Sequence, residues 1–303
     1  MVKAGEKTSM NKHINVLSID LESWIHKYFI NQRSSTKKTM DKGYIWKATQ
    51  DILNILDSNG IRTTFFVVGE IFEWYPELIY MMKEKGHEIN FHTYSHKKLL
   101  KEEHLLDELK KGKKFIEEFN IKGFRAPEAV IQKNHLKILK DWGFSYDSSI
   151  YSAFKIVEPI DGLLEIPISS YPLYKQKLNI KFPRNLNLPL LIHEIPFGSG
   201  YFIGLLGSNV QWFINRCNRK DIPVNMFMHP WQIVTPPGIN KNIGVFMNLA
   251  TPPSINKNIL GVFMDHIKMI PYEINRRDTF NYLCRNYNFL PMKDLLYDNG
   301  WKI

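Results

Sequence analysis

The chain has 303 residues, 44% hydrophobic and 23% charged, with a net charge of +10 and two cysteines. This composition excludes a disordered, fibrous or disulfide-stapled protein, and the length suits one large domain or two small ones. Cys217 and Cys284 have no metal or redox spacing.

Met1 to Lys12 is polar and lacks the apolar stretch of a signal peptide, and it is expected to be loosely held. No window approaches the roughly 18 uninterrupted apolar residues of a membrane span. The expected location is therefore cytoplasmic, peripheral to the inner membrane at most. The positive charge is compatible with nucleic acid, an anionic membrane surface or an acidic glycan. Nucleic acid is set aside because no recognised binding motif accompanies the charge. The runs Lys37-Lys38, Lys97-Lys98 and Lys110 to Lys114 read first as solvated faces.

In chain order, Asn15 to Ile19 reads as a buried strand ending on Asp20, and Ile45 to Asn59 as a helix stopped by Gly60. Thr63 to Val68 is a second strand, Pro76 to Lys85 a helix, and Glu88 to Phe91 a third strand. A helix from Glu103 to Asn120 carries the densest lysine run opposite an apolar stripe. A short strand into Arg125, a helix from Asn134 to Trp142 and a strand near Phe144 to Tyr146 follow. Glu165 to Phe202 reads as long loops with short strands. Helix Leu205 to Arg219, strand Val224 to Met228 and a helix at about 272–287 complete the pattern, before a segment at 291–295 that packs back on the sheet.

The segment 235–248 is nearly repeated at 251–265, and two copies read as a surface insertion rather than a solenoid. Strand and helix alternate at βα spacing, so 13–303 is expected to form one α/β domain around a parallel sheet or barrel. Asp20, Glu22, His92, Arg125 and Asp147 fall at strand ends, where such folds place their chemistry.

His92 and His96 are four apart, so a helical turn would project both imidazoles from one face, as two nitrogens sharing a divalent ion require. Asp20 and Glu22 are two apart at a strand end, which points both carboxylates to the same side. Each pair alone has a plain structural reading, as surface histidines or as a turn. Together, two histidines and a carboxylate with open positions describe a catalytic zinc-type site.

Five ordered segments now carry a resemblance: Ser18-Ile19-Asp20-Leu21-Glu22, His92-Thr93-Tyr94-Ser95-His96, Gly123-Phe124-Arg125-Ala126-Pro127, Tyr146-Asp147-Ser148-Ser149-Ile150 and Phe227-Met228-His229-Pro230-Trp231. With Gly198-Ser199-Gly200-Tyr201-Phe202, the chain resembles the polysaccharide deacetylases of carbohydrate esterase family 4, which share the NodB homology domain. Within them it looks closest to those of exopolysaccharide and exosortase loci.

The resemblance implies a distorted (β/α)7-type barrel and a hydrolase that removes N-acetyl groups from a surface polysaccharide or its lipid-linked precursor. It implies Glu22, His92 and His96 as ligands of a divalent metal, with Zn2+ the expected ion. Asp20 would be the general base, held by Arg125, and His229 the general acid, aligned by Asp147. Trp231, Tyr201 and Pro127 would contact the sugar. Two departures stand out: Leu21 separates the carboxylates that the superfamily usually places side by side, and Glu128 stands where a small polar residue is common. An allantoinase-like hydrolase of another C–N bond and a non-catalytic glycan-binding protein are the alternative readings.

Overall fold

The computed structural model describes residues 13–153, 158–174, 186–237, 271–298 and 300. The expected loose segment 1–12 and nearly all of the repeat lie outside them.

Seven parallel strands form the frame. They are β1 (Ile14–Leu21), β2 (Thr64–Val67), β3 (Glu88–Phe91), β4 (Gly123–Phe124), β5 (Tyr146–Asp147), β8 (Leu163–Glu165) and β12 (Asn225–Met228), in the spatial order β12-β1-β2-β3-β4-β5-β8. The short β7 (Glu158–Ile160) adds antiparallel to β8, and β13 (Asn288–Phe289) adds parallel to β1. Two minor pairs sit outside this sheet: β6 (Tyr151–Ser152) with β9 (Ile168–Ser169), and β10 (Tyr171–Pro172) with β11 (Glu194–Ile195).

Strands β2, β3 and β12 are buried at every position, as parallel strands covered on both faces must be. Their two faces differ in chemistry. Leu17, Ile19 and Leu21 of β1 pack outward into the main core with the helices, whereas Val16 and Phe66 join Tyr146, Ile166, Met292, Leu295 and Leu296 in a second cluster. The residues between, Ser18 and Asp20, follow the strand period of two onto that inner side.

The covering helices form because their apolar residues recur every three or four positions. Helix α3 (Tyr44–Ser58) buries Ile45, Ala48, Ile52, Leu53 and Leu56. Helix α6 (Glu102–Phe119) buries Leu105, Leu109, Phe115, Ile116 and Phe119, while Lys110, Lys111, Lys113 and Lys114 stay exposed. That lysine run is a solvated face, and Lys111 and Lys113 pair with Asp107 and Glu117 one turn away.

Three expected elements differ. The looped region 165–202 contains α8 (Leu188–His193), whose N-terminus is capped by Asn187, and the start of α9 (Gly200–Leu206), capped by Ser199. The single helix 205–219 is instead broken after α9, because Gly207 adopts φ +54°; a 3-10 turn intervenes before α10 (Gln211–Asn218). The helix expected at about 272–287 runs only over Arg277–Asn286. Beyond it the chain packs back as expected: Leu290 N donates to Asn15 O, and the helix Met292–Asp298 closes the inner cluster.

The ladder does not run continuously from β8 round to β12. The free edge of β12 is joined instead by side chains and a loop: Asn225 Nδ2 donates at 3.1 Å to Ser148 Oγ, Ile166 O and Pro167 O. Phe227 N donates to Gly198 O, and Gly198 N donates to Ser169 O. A Cβ at Gly198 would lie 2.5 Å from Asn225 O, so only glycine fits in this seam.

Candidate metal and catalytic site

The polar cluster sits at the carboxyl ends of the parallel strands. Asp20 is in the last turn of β1, and Glu22 follows it; Glu22 N donates to Asp20 O, a tight turn that leaves both carboxylates on the inner side. His92 follows β3, Arg125 follows β4, Asp147 ends β5 and His229 follows β12.

Glu22, His92 and His96 each present one ligand atom, all within 4.8 Å of one another, and all three are buried. His96 Nε2 is 3.0 Å from Glu22 Oε2, an oxygen with no hydrogen-bond partner. His92 Nδ1 is 2.8 Å from Arg125 O, which leaves Nε2 to face the cluster. Two imidazole nitrogens and a carboxylate oxygen, converging on an unsatisfied acceptor, fit a divalent cation. Burial alone would raise the Glu22 carboxyl, but the His96 and His229 imidazoles hold it well below the usual range. Burial opposes charge on His96 too, and there the Glu22 carboxylate prevails and raises its pKa. His92 goes the other way: burial pushes it down to about 4 despite Asp20 nearby.

The histidines do not share a helical turn. Residues 92–96 form a loop with Thr93 and His96 at φ +60° and +64°, because the chain must reverse directly out of β3 to bring both rings inward. The loop is held from several sides. Ser95 N and Oγ donate to Glu108 of α6 at 2.7 and 2.8 Å, and His96 N donates to Thr93 Oγ1. Gly69 N and Glu70 N, opening α4 (Gly69–Trp74), donate to Thr93 O and Tyr94 O.

Arg125 is 1% exposed and every guanidinium nitrogen is engaged. Nη1 donates to Asp20 Oδ1 at 2.6 Å and to Ser18 Oγ at 2.8 Å, while Nε and Nη2 donate to Ser148 O and Oγ. Phe66 and Phe227 flank it, with ring centroids 4.1 and 5.0 Å from Cζ. Asp20 Oδ2, the oxygen not bound by Arg125, is 4.0 Å from His92 Nε2.

His229 Nε2 is 3.3 Å from Glu22 Oε1. Its Nδ1 faces Gln232 Oε1 at 3.1 Å, and Gln232 Oε1 also accepts from His229 N. The orienting role expected of Asp147 is therefore filled, in contact terms, by Gln232. Gly200 makes this possible: a Cβ there would lie 2.7 Å from Gln232 Oε1 and 3.1 Å from His229 Nδ1. Asp147 instead binds Ser149 Oγ at 2.6 Å and is paired with the buried Glu165 carboxyl. Burial raises Asp147 to about 6, and burial plus the Asp147 charge raises Glu165 well above its ordinary value. One proton shared between the two carboxyls satisfies both. Ser149 Oγ accepts from Ala126 N, so this acid pair supports the backbone just after Arg125.

Of the expected sugar contacts, Trp231 is buried and stacks on His229, with centroids 4.5 Å apart, and its Nε1 donates to Tyr272 O. Tyr201 lies against Tyr272, which in turn packs edge-on to His229. Pro127 opens a buried 3-10 turn. Glu128, beside it, is exposed and pairs with Lys98 at 2.6 Å.

A further charged group lies behind the Glu22 turn. His26 in α1 (Trp24–Tyr28) and Lys37 in α2 (Ser34–Asp41) both pair with Glu70, and all three side chains are at most 4% exposed. Ser23 N donates to His26 Nδ1 and Ser23 Oγ to Asp41, tying the turn after Glu22 to this cluster. Lys37, expected on a solvated face, is instead fully buried against Glu70, and nothing in the sequence marked Glu108, Glu165 or Glu70. Gln232 did carry a signal, since an acceptor three residues past a helix-start residue is the capping-box spacing, here His229 to Gln232.

A parallel barrel with a His-His-carboxylate cluster at its strand ends matches known proteins on three counts. Residues 32–146 match the model of the polysaccharide deacetylase family. The peptidoglycan-N-acetylglucosamine deacetylase of Bacillus cereus is 29% identical over 132 residues, covering 40% of this chain and 48% of that protein. The peptidoglycan-N-acetylmuramic acid deacetylase of Bacillus subtilis is 30% identical over 153 residues, covering 46% and 57%. The chain thus spans about half the length of these curated relatives. A crystal structure from Mycobacterium smegmatis, assigned to the polysaccharide deacetylases, superposes with a TM-score of 0.56 at 15% identity, covering 99% of this chain and 94% of that one, and shows the shared fold. Over residues 32–146 the chain is thus similar to the polysaccharide deacetylase family.

Proposed function

We propose that this protein is a metal-dependent hydrolase that removes N-acetyl groups from the sugars of a surface polysaccharide or its lipid-linked precursor. The observation that carries this reading is the buried Glu22–His92–His96 cluster, with an Arg125-fixed carboxylate on one side and His229 on the other. The chemistry named for the relatives, deacetylation of peptidoglycan sugars, is of the same class.

Glu22, His92 and His96 would hold the ion, with Zn2+ favoured by the donor set. Bound there, a divalent ion supplies Lewis acidity to the acetyl carbonyl and acidifies a water. Asp20 would accept a proton at Oδ2 as the general base, because Arg125 occupies Oδ1 and fixes the carboxylate plane. His229 presents Nε2 to protonate the departing amine, while Gln232 at Nδ1 sets the ring orientation. Tyr201 and Tyr272 offer aromatic faces beside His229 for a sugar ring, and Trp231 backs the imidazole.

The test is acetate release from N-acetylated oligosaccharides and lipid-linked precursors, with metal content measured in parallel. Activity that disappears with chelator and with His92→Ala, and returns on adding Zn2+, is the expected result. Metal-independent release, or bound metal with no turnover on any acetylated sugar, would overturn the reading.

A further inference from the structure

The charge of this chain is not evenly spread. Between Ile166 and Lys220 the sequence carries seven lysines and arginines and one acid, Glu194; among the described residues the basic ones are Arg216, Arg219 and Lys220, next to the exposed Asp221. Glu194 is 1% exposed, so it offers no negative charge to the surface. The same stretch holds seven of the ten large apolar residues exposed among those described, including Leu188 at 71%, Tyr174 at 59%, Trp212 at 53% and Ile192 at 52%.

These residues are linked. On α8, Leu188, Leu191 and Ile192 stand at positions one, four and five, which places them on one face of the helix. The last residue of α8, His193, accepts from Leu173 N through its carbonyl and meets the Tyr174 ring at 6.3 Å. Tyr171 of β10 packs against Trp212 at 5.5 Å, and its hydroxyl accepts from Arg216 Nε. Arg216 also lies over the Trp212 ring at 5.4 Å. The exposed leucines of α8, the Tyr174 ring and the Trp212–Arg216 pair of α10 are thus gathered around the β10–β11 pair.

An exposed apolar patch of this kind on a soluble domain marks an interaction site. Leucines that enter the acyl boundary, aromatics at headgroup depth and basic residues facing anionic lipid are the combination an interfacial anchor uses. We infer that the face built on α8, β10 and α10 docks on an anionic phospholipid surface. From this face the chain runs directly through Gly198 to Gly200 at His229, so docking holds the catalytic end of the barrel beside membrane-borne substrate.

Flotation with vesicles tests it. The full chain is mixed with phosphatidylcholine vesicles, or with phosphatidylcholine containing phosphatidylglycerol, and tryptophan emission is recorded alongside. Binding to the anionic vesicles, weakened by added salt, with a blue shift that Trp212→Phe removes, is expected. The triple change Leu188→Ser, Leu191→Ser and Ile192→Ser should lower vesicle affinity at least about tenfold, and Arg216→Gln should lower it less and flatten the salt dependence. Both variants should retain turnover on a soluble acetylated oligosaccharide, which separates this inference from the catalytic one.

No binding, or equal binding to neutral vesicles, overturns the inference. So does a vesicle affinity that the triple change leaves intact. A dimer that the triple change converts to monomer assigns the face to a second copy instead. A triple variant that loses thermal stability while the wild type shows no Trp212 shift assigns it to the chain's own segment 175–185.

Discussion

In the proposed reaction Asp20 and His229 divide the proton transfers between them, and their variants should fail differently from those of the residues proposed to hold the metal. Asp20→Asn and His229→Ala should each lower kcat by about 10²–10⁴ with metal content unchanged. His92→Ala should lose both, as elemental analysis alongside acetate release will show. Gly200→Ala pushes a methyl against Gln232 and His229; it should depress kcat more than KM.

The Asp147–Glu165 pair makes a prediction in pH. Both carboxyls are raised in the folded state, Asp147 to about 6. The folded chain therefore holds protons that the unfolded chain gives up, so the pair's contribution is fully present below the unfolded carboxyl range and is lost as pH rises through 6 and above. Glu165→Gln keeps a donor for Asp147 without a shared proton. Its melting temperature should decline less than that of the wild type between about pH 4 and 8 in a thermal-shift series, and an unchanged slope would refute the shared proton.

At the level of elements, β2, β3, α3, α5 (Pro76–Glu84), α6 and α7 (Lys133–Asp141) were legible in the sequence to within a residue or two. Their apolar period and their stops, such as Gly60 and Gly86, were local. The site's strand-end residues were legible for the same reason, since each follows a short apolar run. What was not legible was set by contacts distant in sequence. The His92–His96 loop lacks a helix because α4 and α6 grip it, and Gln232 displaces Asp147 at His229 because Gly200 leaves room for it.

The helices α1 and α2 were missed because their stability rests on the buried Lys37–Glu70–His26 group rather than on an apolar stripe. Removing one partner from such a group strands a buried charge. Lys37→Ala should therefore cost about 3–5 kcal/mol in a denaturant titration, and it should loosen the Glu22 turn enough to weaken metal binding, measurable by competition with a chromogenic chelator.

For the molecule as a whole, a parallel sheet with polar residues at its strand ends followed from βα alternation and the seven-strand barrel from the family resemblance, whereas the way the ring closes followed from neither. Closure depends on Asn225, whose amide bridges β12 to residues on the opposite side of the sheet's gap. Asn225→Ala leaves two buried carbonyls without that donor and should cost about 1–3 kcal/mol, visible as a lower denaturant midpoint. Because Ser148 also holds Arg125, the same change should lower turnover without altering the metal ligands.

That seam also sets an order of opening. In hydrogen exchange, the amides of β1, β2 and β3, held on both sides by ladders, should report the global unfolding free energy. The amides of Gly198 and Phe227, fastened to single loop carbonyls across the gap, should exchange sooner and together. The wall beside His229 should then open before the laddered strands do. A glycan chain too broad for the resting groove would find its clearance there, at a hinge one glycine wide.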